Sequence, residues 1–265
     1  MRWTVLRLAL ACALASAGLL RPPPARGSTE VDLALVLAVD ISNSMDREEQ
    51  ELQRTGFIEA FRSPEVHDAI RSGTLGRIAV TYLEWAGVTR QTIVVPWTTI
   101  EGAEGAVEFA EQLASAPIQR GPRTSISGAI DFSVRLLEDI PVEPLRRVID
   151  ISGDGANNQG RLVTQARDDA LSRDITINGL PIMLKRAVGY WDVAELDLYY
   201  RDCVIGGPGA FMIPVRERHQ FAEAIKTKII REIAGLAADA EVVPVQAQPR
   251  ASCLAGEVQD WDMRR

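Results

Sequence analysis

Histidine and cysteine are scarce in this chain. Of its 265 residues two are histidine (His67 and His219), three are cysteine, and aromatic side chains make up 6%. The two imidazoles stand in no ligand-spaced motif, so nothing points to a zinc centre built on nitrogen and sulfur. No Ser-His-Asp set, phosphate-binding loop or Gly-x-Gly-x-x-Gly turn can be assembled either, which removes the commonest hydrolase and nucleotide-binding signatures. Lysine and arginine form no cluster, and the net charge is −7. Such a surface is a poor match for nucleic acid, whose phosphates call for basic patches. No internal repeat is visible.

The first residues read as a targeting segment. Arg2 and Arg7 precede or interrupt an apolar run from Val5 to Leu20, Ala15-Ser16-Ala17 offers small residues for cleavage, and Pro22-Pro23-Pro24 follows. A second cleavage point falls near Ala25 to Ser28. The alternative is an uncleaved membrane anchor, because Trp3 to Leu20 reaches the lower limit for a span. Residues 1–27 are therefore assigned to a signal peptide and Pro-rich linker, 31–235 to one domain, and 236–265 to a loose tail. Export to the periplasm or the medium is the expectation, with membrane contact only if the first segment is retained. Its removal takes away Arg2, Arg7, Arg21 and Arg26 and no acid, leaving about −11 from −7. Two cysteines then remain, Cys203 and Cys253. An even number in an exported chain permits one disulfide, which would fasten the C-terminus; two unrelated thiols are the alternative.

The domain opens on Leu33-Ala34-Leu35-Val36-Leu37-Ala38-Val39-Asp40, an aliphatic run that halts at a carboxylate. A strand this apolar on both faces belongs inside a parallel sheet covered by helices. Asp46, Glu48 and Glu49 then suit the first turn of a helix, with Phe57, Ala60 and Phe61 on its buried face. Arg77 to Glu84 reads as the second strand. Gln91 to Val95 reads as the third, antiparallel and at an edge, ended by Pro96. Ala103, Ala106, Val107, Ala110, Leu113 and Ala114 stripe one helix. Thr124 and Ser125 open another, with Ile126, Ala129, Ile130, Val134 and Leu137 inward. Arg147 to Ser152 is the fourth strand, Arg161 to Arg173 a helix, Ile175 to Leu184 the fifth strand and Ala210 to Pro214 a short sixth. Val193 to Asp202 is a further helical candidate, and Phe221, Ile225, Ile229 and Ile233 stripe the last helix. This alternation predicts an α/β fold: one domain, a mostly parallel six-stranded sheet with one antiparallel edge strand, and helices on both faces.

Oxygen ligands gather at the strand ends, where open α/β sheets place their ligands. Asp40, Ser42 and Ser44 alternate in an extended segment and so point the same way. Asp154 follows the fourth strand in Gly153-Asp154-Gly155, and Thr124 opens a helix after a Gly-Pro loop. Carboxylates and hydroxyls suit a hard cation, Mg²⁺ with Ca²⁺ or Mn²⁺ as alternatives, and Mg²⁺ would keep a coordination position for an incoming acid. Each residue alone has a plainer reading as a helix cap or turn former. Together those readings require five coincidences.

The pattern Asp40-x-Ser42-x-Ser44, Thr124 in Arg123-Thr124-Ser125, and Asp154 in Ser152-Gly153-Asp154-Gly155 resembles the metal-ion-dependent adhesion site of von Willebrand factor type A domains. The resemblance covers roughly Val31 to Gly235. The stretch from Ser152 to Gly160, with Tyr199-Tyr200-Arg201-Asp202 and Val204 to Gly209, is similar to a bacterial exported subfamily of unknown function. The resemblance implies a doubly wound sheet of order 3-2-1-4-5-6. It also implies a cation bound directly by Ser42, Ser44 and Thr124, with Asp40 and Asp154 acting directly or through water, and a partner protein supplying Asp or Glu to the open position. A different class stays in view: an Mg²⁺-dependent phosphoryl-transfer enzyme with Asp40 as nucleophile. That chemistry asks for a second Asp two residues on, where Ser42 stands, or a lysine for phosphate, for which Lys185 is the one candidate near a strand end. Asn157 and Asn158 are expected to shape their loop, and Glu84 is a candidate support for the site.

Overall fold

A computed structural model describes residues 28–185, 193–235 and 250–257. The proposed signal segment lies outside them. The elements in chain order are β1 (Glu30–Val31), β2 (Leu33–Asp40), α1 (Arg47–Arg62), α2 (Pro64–Arg71), β3 (Ile78–Trp85), β4 (Gln91–Ile100), α3 (Ala103–Ser115), α4 (Ile126–Glu138), β5 (Glu143–Pro144), β6 (Arg147–Gly153), α5 (Val163–Leu171), β7 (Ile175–Pro181), α6 (Leu196–Tyr199) and α7 (Phe221–Ala234).

The central strand β2 is buried along its whole length. It lies between β3 and β6 and pairs with both in parallel. Its alternating side chains feed two cores. Leu33, Leu35, Leu37 and Val39 join Phe57 and Phe61 of α1 and Ile225 and Ile229 of α7. Ala34, Val36 and Ala38 join Ile126, Ala129 and Ile130 of α4 and Ala166 of α5 on the opposite face. The period of two in a strand thus divides one apolar run between two helix layers.

The sheet has five strands in the order β4-β3-β2-β6-β7, with only the β3–β4 pair antiparallel. The expected sixth strand at Ala210 to Pro214 is absent as a strand. The segment meets β7 through isolated bridges, Gly179 with Met212 and Ile182 with Val215. The Gly179 N–H reaches the Phe211 carbonyl at 3.1 Å, and the Ile213 and Val215 N–H groups reach the Gly179 and Pro181 carbonyls at 3.1 and 2.9 Å. Pro181 has no N–H to give the Ile213 carbonyl, so the ladder is interrupted there, and the Phe211 N–H goes to the Asn178 side chain at 3.0 Å. A two-residue parallel pair, β1 with β5, was not expected. Nor does Pro96 end its strand: β4 continues to Ile100 across an irregular register opposite Thr81. There the Thr81 hydroxyl donates to the Val95 carbonyl at 2.8 Å, and an edge strand tolerates the missing proline N–H.

Smaller differences follow from local chemistry. On α3 the buried face is Ala106, Phe109, Ala110 and Leu113, with Ala103 and Ala114 exposed. The fifth strand stops at Pro181, and the helix before it spans only Val163–Leu171. The candidate helix at Val193 to Asp202 is the short α6 followed by a π-type turn, Tyr200–Val204. Within the region assigned to a loose tail, Arg250 to Glu257 packs on the domain. Ala251, Cys253 and Ala255 sit against the second core, and Cys253 forms a disulfide with Cys203, Cα to Cα 5.4 Å.

Against the middle of β6, where Asp150 pairs with Leu37 of β2, α7 buries an ionic cluster that its hydrophobic stripe does not announce. Lys228 Nζ lies 2.9 Å from Asp150 Oδ1 and 2.5 Å from Glu232 Oε1, and all three side chains are essentially inaccessible. Two carboxylates face one ammonium. Burial, and then the Asp150 charge, push the Glu232 carboxyl up to about 7. The folded state therefore holds this proton more tightly than the unfolded chain, and the stability it contributes falls as pH rises from the ordinary carboxylate range through about 7. Glu232→Gln should remove that slope. The melting temperature of the variant should gain on wild type progressively between about pH 5 and pH 8, and a difference constant across that window would contradict the assignment.

Candidate metal centre

Asp40 ends β2 with no solvent exposure. Its Oδ1 accepts the Ser42 N–H at 2.6 Å, and its Oδ2 has no hydrogen-bond partner. The turn beyond it is short because α1 starts at once. Asp46 caps α1 in a reciprocal box with Glu49, the Glu49 N–H reaching Asp46 Oδ1 at 2.9 Å and the Asp46 N–H reaching Glu49 Oε2 at 2.8 Å. Arg120 donates to the carbonyls of Asn43 and Met45 at 2.9 and 2.7 Å, and Lys185 Nζ to the carbonyl of Ser44 at 2.7 Å. A turn held from both sides keeps its hydroxyls in place.

Those hydroxyls lead to the second carboxylate. Ser42 Oγ lies 2.8 Å from Ser44 Oγ, and Ser44 Oγ donates to Asp154 Oδ1 at 2.6 Å across 110 residues of sequence. Asp154 follows β6, the parallel neighbour of β2. The residue before it has to be glycine. A Cβ at Gly153 would stand 2.9 Å from Asp40 Oδ2 and 3.1 Å from the Tyr200 hydroxyl, closer than packed atoms allow. Asp40 and Ser42 are buried, whereas Ser44 is exposed and Asp154 half-buried, so the group opens to solvent on one side.

Thr124 arrives on the third loop. The Gly121 N–H donates to the Ile41 carbonyl at 2.9 Å, setting this loop beside the Asp40 turn. Thr124 and Asn158 then pair twice: the Thr124 N–H reaches Asn158 Oδ1 at 2.9 Å, and the Asn158 N–H reaches the Thr124 carbonyl at 2.8 Å. The Ser125 hydroxyl donates to the Gln159 carbonyl at 2.9 Å. Across this seam a Cβ on Gly155 would lie 3.8 Å from Thr124 Oγ1. All five sequence-selected residues, Asp40, Ser42, Ser44, Thr124 and Asp154, thus sit on three adjoining loops at one end of the sheet.

Electrostatics mark the same place. Burial, and then the nearby Asp154 charge, hold the Asp40 carboxyl well above the usual range. Burial also pushes Asp154 up to about 6, against the opposing hydrogen bond from Ser44. Lys185 offsets part of the Asp154 charge but is also bonded to Ser44 and Glu49, so two carboxylates facing each other at low dielectric are only partly compensated. A buried acid with an unpaired oxygen, a second acid opposite and three hydroxyls form the donor set of a hard divalent cation. Among the described residues no three His, Cys, Asp or Glu side chains converge, so neutral hydroxyls must complete the set.

Other candidates are used elsewhere. Glu84 is buried and paired with Arg54 of α1, whose guanidinium also donates to the Leu113 and Ala116 carbonyls at 2.9 and 3.1 Å. That interaction ties α1 to β3 and α3. His67 is bound to the Phe61 carbonyl at 2.8 Å, and His219 is exposed. Sequence reasoning passed over the Tyr200 hydroxyl, which lies beside Asp40 and Gly153, and Tyr199, whose hydroxyl accepts the Asn157 N–H at 3.2 Å. Two adjacent tyrosines in a mostly polar stretch were the available signal.

A family model described as "Protein of unknown function (DUF1194)" matches residues 30–237. The chain belongs to this family. No curated protein sequence matches this DUF1194 chain. Its fold is similar to the pilus adhesin SpaC from Lactobacillus rhamnosus GG in an open conformation (TM-score 0.57, 11% identity), covering 78% of this chain and 31% of that one. Proximal thread matrix protein 1 from the mussel byssus, with a zinc-occupied MIDAS motif, aligns with TM-score 0.54 at 11% identity over 77% of this chain and 46% of that one. A von Willebrand factor type A protein from Catenulispora acidiphila aligns with TM-score 0.53 at 12% identity, over 77% and 43%. The DUF1194 chain therefore spans less than half the length of each of these proteins. The likeness establishes its fold, a von Willebrand factor type A-like domain.

The Thr124–Asn158 seam gives a direct test. Asn158→Ala strands the Thr124 N–H, buried with its residue, at a cost of about 1–3 kcal/mol. The melting temperature should drop by several degrees, at roughly 2–4 °C per kcal/mol for a domain of this size. An unchanged melting curve would mean that the seam does not hold the two loops together.

Proposed function

We propose that the chain is an exported, divalent-cation-dependent protein-binding domain that takes Mg²⁺ at Asp40, Ser42, Ser44, Thr124 and Asp154 and captures an Asp or Glu of a partner protein. The observation that carries this reading is Asp40: a wholly buried carboxylate with an unpartnered oxygen, set opposite a second carboxylate in a shell of hydroxyls. A bound divalent cation would compensate both acids and present a coordination position to an incoming carboxylate.

The chain's own residues divide the work. Asp40 sits deepest and would supply the charge that retains the cation. Ser42 and Ser44 are neutral ligands, so the cation keeps net positive charge toward an approaching acid. Asp154 and Ser44 are the accessible members, and the partner would arrive on their side. The mussel protein's zinc-occupied MIDAS motif and the adhesin among the structural neighbours support a binding role. A phosphoryl-transfer reading finds no such support. A nucleophile must reach phosphorus, and Asp40 is buried, while Lys185 already serves Ser44 and Glu49. The disulfide supports export, since such bonds persist in oxidising compartments. No helix among the described residues is long and apolar enough to cross a membrane.

Mg²⁺ or Mn²⁺ at a hundredfold excess over its dissociation constant should stabilise the wild type by about 2.7 kcal/mol, a rise of roughly 5–10 °C in melting temperature. Asp40→Asn keeps the shape but removes the charge. It should melt at or above the metal-free wild type and show no rise with either ion. An equal rise in variant and wild type would refute the assigned site.

A further inference from the structure

The stretch matched by the family model ends at residue 237, yet a later segment reaches the loop that carries Asp154. Glu257 is buried, and its Oε1 accepts two hydrogen bonds: the Val163 N–H at 2.7 Å and Asn157 Nδ2 at 3.1 Å. The first satisfies the N-terminus of α5, whose preceding residue Leu162 offers no capping side chain. The second fixes Asn157, which is itself buried and spans the loop. Asn157 Oδ1 accepts the Ser127 N–H at 3.0 Å, its Nδ2 also donates to the Arg161 carbonyl at 3.1 Å, and its own N–H reaches Tyr199. Asn158, next in sequence, makes the twofold pairing with Thr124 described above. Hydrogen bonds from Glu257 to Asn157 and from Asn158 to Thr124, joined by the Asn157–Asn158 peptide link, therefore connect Glu257 to Thr124, and the loop so fixed begins at Asp154.

Two further features show that this docking is built in. Gly256 has φ +83° and lies on the loop backbone; a Cβ there would stand 2.8 Å from the Asn157 carbonyl oxygen and 3.2 Å from Ala156 Cβ. Only glycine meets both the backbone angle and the close approach. The segment is also anchored upstream, by the Cys203–Cys253 disulfide and by the Ala251 N–H donating to Asp202 Oδ2 at 2.8 Å.

We propose that Glu257 is a positioning residue of the metal centre: held by the Cys203–Cys253 disulfide, its carboxylate fixes Asn157 and with it the spacing between Asp154 and Thr124. The inference rests on the metal-binding reading and adds to it a C-terminal clasp. Partners bonded directly to metal ligands affect affinity by about 10–100-fold, and Glu257, which acts on them through Asn157, belongs at the lower end of that range. Mn²⁺ affinity, measured by calorimetry on the purified protein, should drop at least tenfold in Glu257→Ala. Glu257→Gln keeps an acceptor oxygen and should stay within about threefold of wild type. Cys253→Ser should approach the alanine variant, as should wild type treated with dithiothreitol. Ile225→Val, a core change on α7, lowers stability without touching the loop and should leave affinity unchanged.

Amide hydrogen exchange supplies a second readout, with protection from Asn157 to Gly160 lost in Glu257→Ala and retained in Glu257→Gln. Should Glu257→Ala fail to fold, Cys253→Ser and dithiothreitol-treated wild type carry the same comparison. Wild-type affinity in Glu257→Ala and Cys253→Ser would overturn the clasp and leave the metal reading standing. A wild type that takes up no Mn²⁺ would overturn the metal reading, and the clasp's role with it.

Discussion

The structure turns on a carboxylate placed where water cannot reach it. Asp40 terminates the most deeply buried strand and retains one oxygen without a hydrogen-bond partner, with Asp154 opposite. Isolated, such a group is costly, and proteins accept that cost mainly where a counter-charge or a cation answers it. The neighbouring features all narrow its surroundings. Gly153 leaves no room for a side chain, Ser42 occupies the other oxygen, and Arg120 and Lys185 tie down the turn from its backbone side.

The parallel sheet supplies the means. Because β2 and β6 run side by side in the same direction, their C-terminal ends coincide, and two acids 114 positions apart in the chain meet at one edge. Helix capping then sets the exits. The Asp46–Glu49 box starts α1 within a few residues of Asp40, and Ser125 caps α4 immediately after Thr124, with its Oγ accepting the Gly128 N–H at 3.1 Å. The three loops are short, cross-bonded and fastened to rigid elements, as a site that must hold hard ligands at fixed distances requires.

How much of this was legible beforehand can be traced to particular residues. β2 announced itself by composition, and the carboxylates and hydroxyls gathered at its end by type, order and strand-end position, because alternation and capping are local rules. The stripe on α7 was equally readable at Phe221, Ile225, Ile229 and Ile233, all buried. Its intervening Lys228 and Glu232 are buried against Asp150, a pairing that only the sheet register brings about. The sixth strand failed for a similar reason. Ala210 to Pro214 has a strand's composition, but its ladder with β7 is interrupted at Pro181, which has no N–H to donate. The role of Glu257 depends on a contact 100 positions away, to Asn157, and no local pattern marks it.

The chain is thus a von Willebrand factor type A-like domain whose Asp40, Thr124 and Asp154 loops are supported on one side by α1 and on the other by its own C-terminal segment. The proposed cation would occupy one position in space. Diffraction from crystals grown with Mn²⁺, recorded at the manganese edge, tests that position directly. The account predicts one strong anomalous peak among the side-chain oxygens of Asp40, Ser42, Ser44, Thr124 and Asp154. Full Mn²⁺ in the crystallisation medium with no peak there, or a peak only elsewhere, would contradict it.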